Sequence, residues 1–195
     1  MTQEPFRGDT KLPLKSLLAR AERRLIDTLT PRFPRWIEGY HLTLMTIPLS
    51  VACTLSGWLA RGDLAWLWLA SGALFLQWFT DSFDGALGRF RDTGIPKWGY
   101  YMDHLLDYVF MCSMMTGYAW LYEGTPRLVW LLVIPVFGVF FVNSYLSFAA
   151  THEFKITFLG FGPTEMRLLL IGLNTFIIAG GKQALAAALP YTLAL

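Results

Sequence analysis

Charged residues are scarce in this chain. They make up 15% of its 195 residues, whereas hydrophobic residues make up 54%. A soluble domain carries about 25% charged residues, so this composition excludes an ordinary soluble protein and indicates a membrane protein. The formal net charge of +2 is too small to indicate a nucleic-acid partner, and we expect none.

Cysteine is also nearly absent. Cys53 and Cys112 lie in apolar segments without the spacing of a metal site, so they are interpreted as small core residues rather than as metal ligands or a disulfide. The chain has no short repeat and no low-complexity segment. It shows no secretory signal, because its first long apolar run comes late.

Long apolar segments are what the chain has in abundance. Five of them are near the roughly 20 residues that a helix needs to cross a bilayer. A sixth, residues 183–195, is shorter and is interpreted as a short or cut-off sixth helix, or as a helix partly in the membrane interface. The sequence therefore predicts an all-α integral membrane bundle of about six transmembrane helices. The five segments are residues 42–60, 64–80, 98–122, 128–150 and 164–180.

The N-terminal segment, residues 1–38, is predicted to form a cytoplasmic part of the chain ahead of a transmembrane domain at residues 39–195. From Pro13 to about Leu29, apolar residues recur at a helical period with basic residues among them, and Pro31 ends this helix. Such a helix lies on an anionic membrane surface, or it is an ordinary amphipathic helix that packs on protein. The sequence leaves both interpretations open.

The basic residues are distributed unevenly between the two ends of the apolar segments. Residues 1–40, 81–98 and 151–167 together hold most of the 16 lysines and arginines. Because basic residues favour the cytoplasmic side, the N-terminus and the Asp81–Gly99 segment are predicted to face the cytoplasm.

Four aspartates lie in and beside the apolar sequence: Asp81, Asp84, Asp103 and Asp107. Their spacings of three and four residues place side chains on one face of a helix. Carboxylates in a membrane segment are costly, so they usually line a polar cavity and mark a functional site. Four converging carboxylates require a cation, and oxygen ligands favour Mg²⁺, Ca²⁺ or Mn²⁺ over zinc.

The two stretches that carry these aspartates resemble the signature of the CDP-alcohol phosphotransferase family. That signature reads D-x-x-D-G-x-x-A-R, then eight or nine residues, then G-x-x-x-D-x-x-x-D. All its defined positions but one match in type and spacing, and Gly88 stands where the family usually has alanine. The matching residues are Asp81, Asp84, Gly85, Arg89, Gly99, Asp103 and Asp107.

The resemblance implies a membrane enzyme that transfers a substituted phosphoryl group from a CDP-linked donor to an alcohol, with release of CMP, in phospholipid biosynthesis. In the family the first three aspartates hold metal, so Asp81, Asp84 and Asp103 are expected metal ligands. Asp107 is expected to be both a metal ligand and the base for the incoming hydroxyl. Two Mg²⁺ or Mn²⁺ ions are expected, because two divalent ions offset about four negative charges and can clamp both oxygens of an in-line displacement.

Three glycines and one arginine are expected to bind the CDP donor. Gly85 and Gly88 leave room for the nucleotide near the helix, and Gly99 leaves a gap on the carboxylate face. Arg89 can pair with a phosphate through two hydrogen bonds. The other basic residues of this stretch, Arg91 and Lys97, are interpreted as loop charges that only set the topology.

His104 is a second candidate for the base, or it only packs. The D-H-x-x-D run resembles the choline/ethanolamine phosphotransferase branch, and so does the segment that contains Glu165, which is either a cavity residue or a helix N-terminal charge. Thr43 matches the threonine of a P-N-x-x-T stretch common in the family, whereas Tyr40 stands where asparagine is usual.

Two donor classes stay open. One is CDP-diacylglycerol with a polar alcohol acceptor, and the other is CDP-choline or CDP-ethanolamine with a lipid alcohol. A cation transporter and a non-catalytic membrane protein are more distant alternatives. The expected partners are the CDP donor, the alcohol, membrane lipid and, by analogy with the family, a second copy in a homodimer. The expected location is a bacterial-type inner membrane, with the active site facing the cytoplasm.

Overall fold

The computed structural model of the protein describes residues 18–151 and 163–181. Within these ranges every regular element is a helix, as the sequence predicts, and two single turns of 3₁₀-helix occupy Thr30–Arg32 and Leu64–Trp66. The predicted helix start at Pro13 and the predicted sixth segment, residues 183–195, lie outside the described residues. The α-helices are α1 Ala19–Leu29, α2 Gly39–Leu44, α3 Thr46–Leu59, α4 Leu67–Arg91, α5 Pro96–Leu121, α6 Thr125–Thr151 and α7 Pro163–Gly180.

Helix α4 differs most from its predicted bounds. The sequence analysis places a span at residues 64–80, but the helix begins at Leu67 and continues to Arg91. No proline interrupts this stretch, so nothing breaks the helix where the charged residues begin. It ends at Asp92, whose φ of 55° is left-handed, and the Thr93 N–H bonds the Gly88 carbonyl at 3.1 Å. The first half of the aspartate motif therefore lies inside one continuous helix.

The core is built around α3, which packs against both α4 and α5. At the crossing of α3 and α5, Gly57 and Gly117 lie backbone against backbone: a Cβ on Gly117 would lie 2.6 Å from the Cys53 carbonyl oxygen. Small residues allow this close approach between membrane helices. The buried side chains of this core include Leu49, Leu67, Leu74, Phe110, Met114, Tyr118 and Ile177.

A buried polar chain links three of the helices within this core. The Tyr118 hydroxyl of α5 donates to Asn174 Oδ1 of α7 at 2.7 Å. Asn174 Nδ2 lies 3.1 Å from Ser71 Oγ of α4. These bonds satisfy the polar side chains in an apolar interior, where an unpaired group would be costly.

The amphipathic helix α1 packs on protein. Ile26 and Leu29 join a small apolar cluster with Phe83 and Leu87 of α4. The face of α1 that carries Arg23 and other basic residues is exposed. Of the two interpretations left open by the sequence, the protein contact is observed, and a position of α1 on the bilayer surface stays a prediction.

Two of the described helical segments are long and apolar enough to cross a membrane, Gly39–Leu59 and Thr125–Phe148. Helices α4 and α5 carry aspartates, and α7 carries Glu165, Arg167 and Asn174; these polar residues lower the mean hydropathy of the three helices. Helix α6 exposes large apolar side chains, such as Leu132 and Val139 at 66% and 68%, along an outer face suited to lipid. The count of six spans stays a prediction.

Candidate functional site

Three of the predicted metal ligands come together between α4 and α5. Asp81, Asp103 and Asp107 each offer one carboxylate oxygen, and these oxygens lie within 4.8 Å of one another. All three residues are half-buried. Helical spacing produces this convergence: Asp103 and Asp107 are one turn apart on α5, and Asp81 faces them from α4.

An arginine that the sequence analysis does not assign to the site contacts this aspartate triad. Arg167 of α7 places Nη2 2.7 Å from Asp81 Oδ2 and 3.7 Å from Asp107 Oδ1. Its side chain is only 12% exposed. The signal in the sequence is an arginine near the start of an apolar segment, where a charge is costly unless it is paired.

A glutamine is the second unassigned residue at the site. Gln77 of α4 donates from Nε2 to Asp107 Oδ1 at 2.9 Å. It lies four residues before Asp81 and therefore on the same helix face. A polar residue one turn before the motif, inside an otherwise apolar segment, is the signal that would have found it.

Asp84, the remaining predicted metal ligand, lies outside the triad and is held by hydrogen bonds. Its Oδ2 accepts from Thr43 Oγ1 at 2.6 Å, and its Oδ1 accepts from the Gly85 N–H. Gly39 permits this contact, because a Cβ there would lie 2.5 Å from the Asp84 carbonyl oxygen. Thr43, the threonine of the family-like stretch, thus orients a carboxylate of the motif.

Of the predicted donor-binding residues, Gly85 and Arg89 are exposed on α4, Gly88 is buried on the same helix, and Gly99 lies near the start of α5. Gly85 is exposed, and a Cβ there would meet the Arg89 guanidinium at 3.1 Å, so the missing side chain leaves room for Arg89. Gly99 borders open space, whereas Gly88 is buried and a Cβ there would lie 3.2 Å from Gly94 Cα. Packing of the α4–α5 loop therefore accounts for a small residue at position 88.

His104 lies beside Asp103 of the triad and packs against aromatic rings. Its Nδ1 lies 2.7 Å from the Tyr100 carbonyl oxygen and 3.9 Å from Asp103 Oδ2. Its ring packs against Tyr100 and Tyr145, with centroids 4.3 and 5.7 Å away. These contacts are those of a packed histidine beside the site, and its predicted role as a base stays untested.

The first helix reaches the same region through a carboxylate. Glu22 of α1 accepts hydrogen bonds at 3.0 Å from Trp78 Nε1 and Ser82 Oγ of α4. The Thr164 hydroxyl of α7 lies 3.4 Å from both Glu22 oxygens. Glu22 therefore joins α1, α4 and α7 next to Asp81, and Glu165, which follows Thr164, is buried.

Arg91 and Lys97, both predicted to be loop charges, instead lie in the last turn of α4 and the first turn of α5. Arg91 bonds the carbonyl oxygens of Phe33, Pro34, Arg35 and Ile37, and lies 3.6 Å from Glu38. It therefore anchors the N-terminal segment to the end of α4, which is a structural role beyond topology. Lys97 is exposed in the first turn of α5, so it does not lie in a loop, and its effect on topology stays a prediction.

The donor set suits a hard divalent cation. The triad offers only carboxylate oxygens, the ligands that Mg²⁺ and Mn²⁺ prefer. The side chains of Asp81 and Asp107 are 21% and 31% exposed, so the site is partly accessible. Such an arrangement can hold a metal ion against a phosphate-bearing substrate.

Comparison with known proteins identifies one family. The family model described as CDP-alcohol phosphatidyltransferase matches residues 40–194. None of the curated proteins and none of the solved structures matches the chain significantly. The matched range includes α4, α5 and α7, and so every residue of the aspartate triad and its arginine partner.

Proposed function

We propose that this chain, which belongs to the CDP-alcohol phosphatidyltransferase family, transfers a substituted phosphoryl group from a CDP-linked donor to an alcohol and releases CMP. The family carries out phosphoryl transfer from CDP-alcohols in phospholipid synthesis. The observation that supports this function in the present chain is the triad of Asp81, Asp103 and Asp107, which lies beside the exposed Gly85.

Asp81, Asp84, Asp103 and Asp107 would hold two Mg²⁺ or Mn²⁺ ions. Bound there, the ions would neutralise the phosphates of the donor and stabilise the charge that develops on the leaving CMP. Thr43 supports this set by orienting Asp84 at 2.6 Å, and Gln77 supports it by orienting Asp107 at 2.9 Å.

Asp107 is the proposed base. It would take the proton of the acceptor hydroxyl while the alcohol oxygen forms a bond to the phosphorus that carries the transferred group. The bond from that phosphorus to the oxygen of CMP breaks, and CMP leaves with the electron pair. We favour Asp107 over His104 because Asp107 belongs to the triad, whereas the ring of His104 is packed between two tyrosines.

The pyrophosphate of the donor is proposed to lie over α4 at Gly85, within reach of Arg89. Arg89 is exposed, and its guanidinium lies against Gly85. A planar guanidinium can bind a phosphate through two parallel hydrogen bonds, which lysine cannot do. Gly99 borders open space and leaves room for the donor on the α5 side.

The acceptor is proposed to be uncharged or cationic at its binding site. Among the described residues, Arg167 is the arginine in contact with the triad, and two aspartates already engage it, while His104 lies 3.9 Å from the third, Asp103. Glu22 and the buried Glu165 add negative groups to the same region. This charge balance disfavours a phosphorylated acceptor, and it is compatible with both donor classes, CDP-diacylglycerol and CDP-choline or CDP-ethanolamine.

The protein is embedded in the membrane, as its family is. We propose about six spans, with the motif end of α4 and α5 facing the cytoplasm of a bacterial-type inner membrane and α1 at the interface. The exposed basic residues of α1 and the exposed Lys97 at the start of α5 support this orientation by the positive-inside tendency. The division at residue 38 and a homodimer remain parts of the proposal.

The deciding experiment supplies membranes that contain the protein with labelled CDP-diacylglycerol, CDP-choline or CDP-ethanolamine. Labelled lipid products are separated by thin-layer chromatography, with lipid alcohols and polar alcohols offered as acceptors. We expect one donor class to yield a new phospholipid together with CMP. Membranes with the Asp107→Asn variant are the control and should yield neither.

Two results would contradict the proposal. One is the absence of CMP release with every donor under conditions in which the purified protein is folded. The other is metal-ion flux into vesicles that contain the protein, because that would favour the transporter alternative.

A further inference from the structure

Gln77 is buried more deeply than the aspartates of the triad. Its side chain lies in α4 one turn before Asp81, and the residue is 1% exposed. Its Nε2 donates to Asp107 Oδ1 at 2.9 Å. Its Oε1 is buried, and no group of the described residues donates a hydrogen bond to it.

A purely structural role does not account for this side chain. An amide that only bridges helices satisfies both of its ends, as Asn174 does with Tyr118 and Ser71 in the same bundle. A buried acceptor without a donor is costly, and an apolar side chain of similar size would avoid that cost. The Nε2 of Gln77 holds the Asp107 carboxylate of the triad, and the Oε1 is an acceptor without a donor among the described residues.

The contact also determines which oxygen of Asp107 is available. Oδ1 accepts the Gln77 hydrogen bond and lies 3.7 Å from Arg167 Nη2. Neither of these contacts uses Oδ2. Gln77 therefore fixes the rotation of the Asp107 carboxylate and leaves its second oxygen for a cation or a proton.

We infer that Gln77 is a positioning residue of the metal site. Its N–H holds Asp107, the residue proposed as both metal ligand and base. Such outer partners typically change metal affinity by about 10–100-fold when they are removed. This inference rests on the proposed metal site.

The test measures binding of Mn²⁺ to the full chain in detergent, from the electron paramagnetic resonance signal of free Mn²⁺. Gln77→Met keeps the size of the side chain and removes both polar atoms. Asn174→Leu is the matched control, because it removes a buried amide of the same bundle that does not contact the triad. We expect Gln77→Met to weaken Mn²⁺ binding about 10–100-fold. Asn174→Leu should lower thermal stability and leave Mn²⁺ affinity within about twofold of the wild type.

A second variant keeps the test decisive if Gln77→Met does not fold. Gln77→Asn retains the amide in a shorter side chain that cannot reach Asp107, and it should show the same loss of Mn²⁺ affinity. Wild-type affinity in a folded Gln77 variant would overturn the inference and leave the proposed function standing. A wild-type protein that binds no Mn²⁺ and yet transfers phosphoryl groups would overturn the inference together with the metal site.

Discussion

Replacing Arg167 by glutamine should destabilise the protein when metal is removed, and much less when Mg²⁺ is present. In the wild type the guanidinium lies 2.7 Å from Asp81 and 3.7 Å from Asp107, and its side chain is 12% exposed. Without it, the aspartates of the triad repel one another with no described cation between them. A bound divalent ion would restore the missing positive charge.

The size of the effect follows from burial. Removing one partner of a buried ion pair typically costs about 3–5 kcal/mol. For a chain of this size, 1 kcal/mol corresponds to about 2–4 °C in Tm, so the expected loss in EDTA is about 6–20 °C. Mg²⁺ at about 100 times its Kd would stabilise the wild type by about 2.7 kcal/mol. It should stabilise Arg167→Gln by more, because it also relieves the repulsion.

The assay is thermal unfolding of both purified proteins in detergent, with EDTA and with Mg²⁺. Arg61→Gln is the matched control, because its ion pair with Glu123 has the similar length of 2.8 Å but the two side chains are 42% and 74% exposed. An exposed pair contributes about 0–1 kcal/mol, so this control should change Tm little in either buffer. If Arg167→Gln has the wild-type Tm in EDTA, or shows the same Mg²⁺-induced rise as the wild type, the reasoning is wrong.

Three further predictions concern activity and donor binding. Phosphoryl transfer, measured by CMP release, should vanish in EDTA and return with Mg²⁺ or Mn²⁺. The reason is that the carboxylates cannot share a cavity with a pyrophosphate unless cations offset their negative charge. Full activity in EDTA would contradict the metal site. Arg89→Ala and Gly85→Leu should both weaken binding of the CDP donor. Arg89→Ala removes a phosphate partner, and Gly85→Leu displaces the Arg89 guanidinium. Unchanged donor affinity in a folded Gly85→Leu protein would move the donor site elsewhere. Asp107→Asn should lower turnover by at least about 10²–10⁴-fold, as expected for loss of a general base. His104→Gln should lower turnover by less than about tenfold and leave donor binding normal. A larger loss of turnover in His104→Gln than in Asp107→Asn would show that His104 is the base.

The part of the site that follows from local spacing was predictable from the sequence. Asp103 and Asp107 share a face of α5 because they are four residues apart, and the apolar sequence around them required a partner for their charge. The all-α architecture of the described residues followed from apolar segments of bilayer length. The family prediction followed from seven matching positions, and the match over residues 40–194 confirms it.

The part that depends on contacts between distant segments was not predictable. Arg167 lies 60 residues beyond Asp107 in the chain, and only the packing of α7 on α4 brings it to the triad. The end of α4 at Arg91 did not follow from the uncharged span at residues 64–80, because the charged residues after that span continue the same helix. A one-dimensional pattern also gave no reason to separate Asp84 from the other three aspartates, since that difference comes from Thr43 on another helix.

The backbone contact of Gly57 and Gly117 also has a consequence for motion. It holds α3 against α5 at Gly117, which lies ten residues after Asp107. At the helical rise of 1.5 Å per residue, this separation is about 15 Å. Two helices in backbone contact have little freedom to slide there, so the crossing acts as a pivot and any swing of α5 grows with distance from it. The aspartates of α5 lie about 15 Å or more from this crossing. Opening and closing of the cleft between α4 and α5 would therefore be greatest at the motif end, while the opposite half of the bundle keeps its shape.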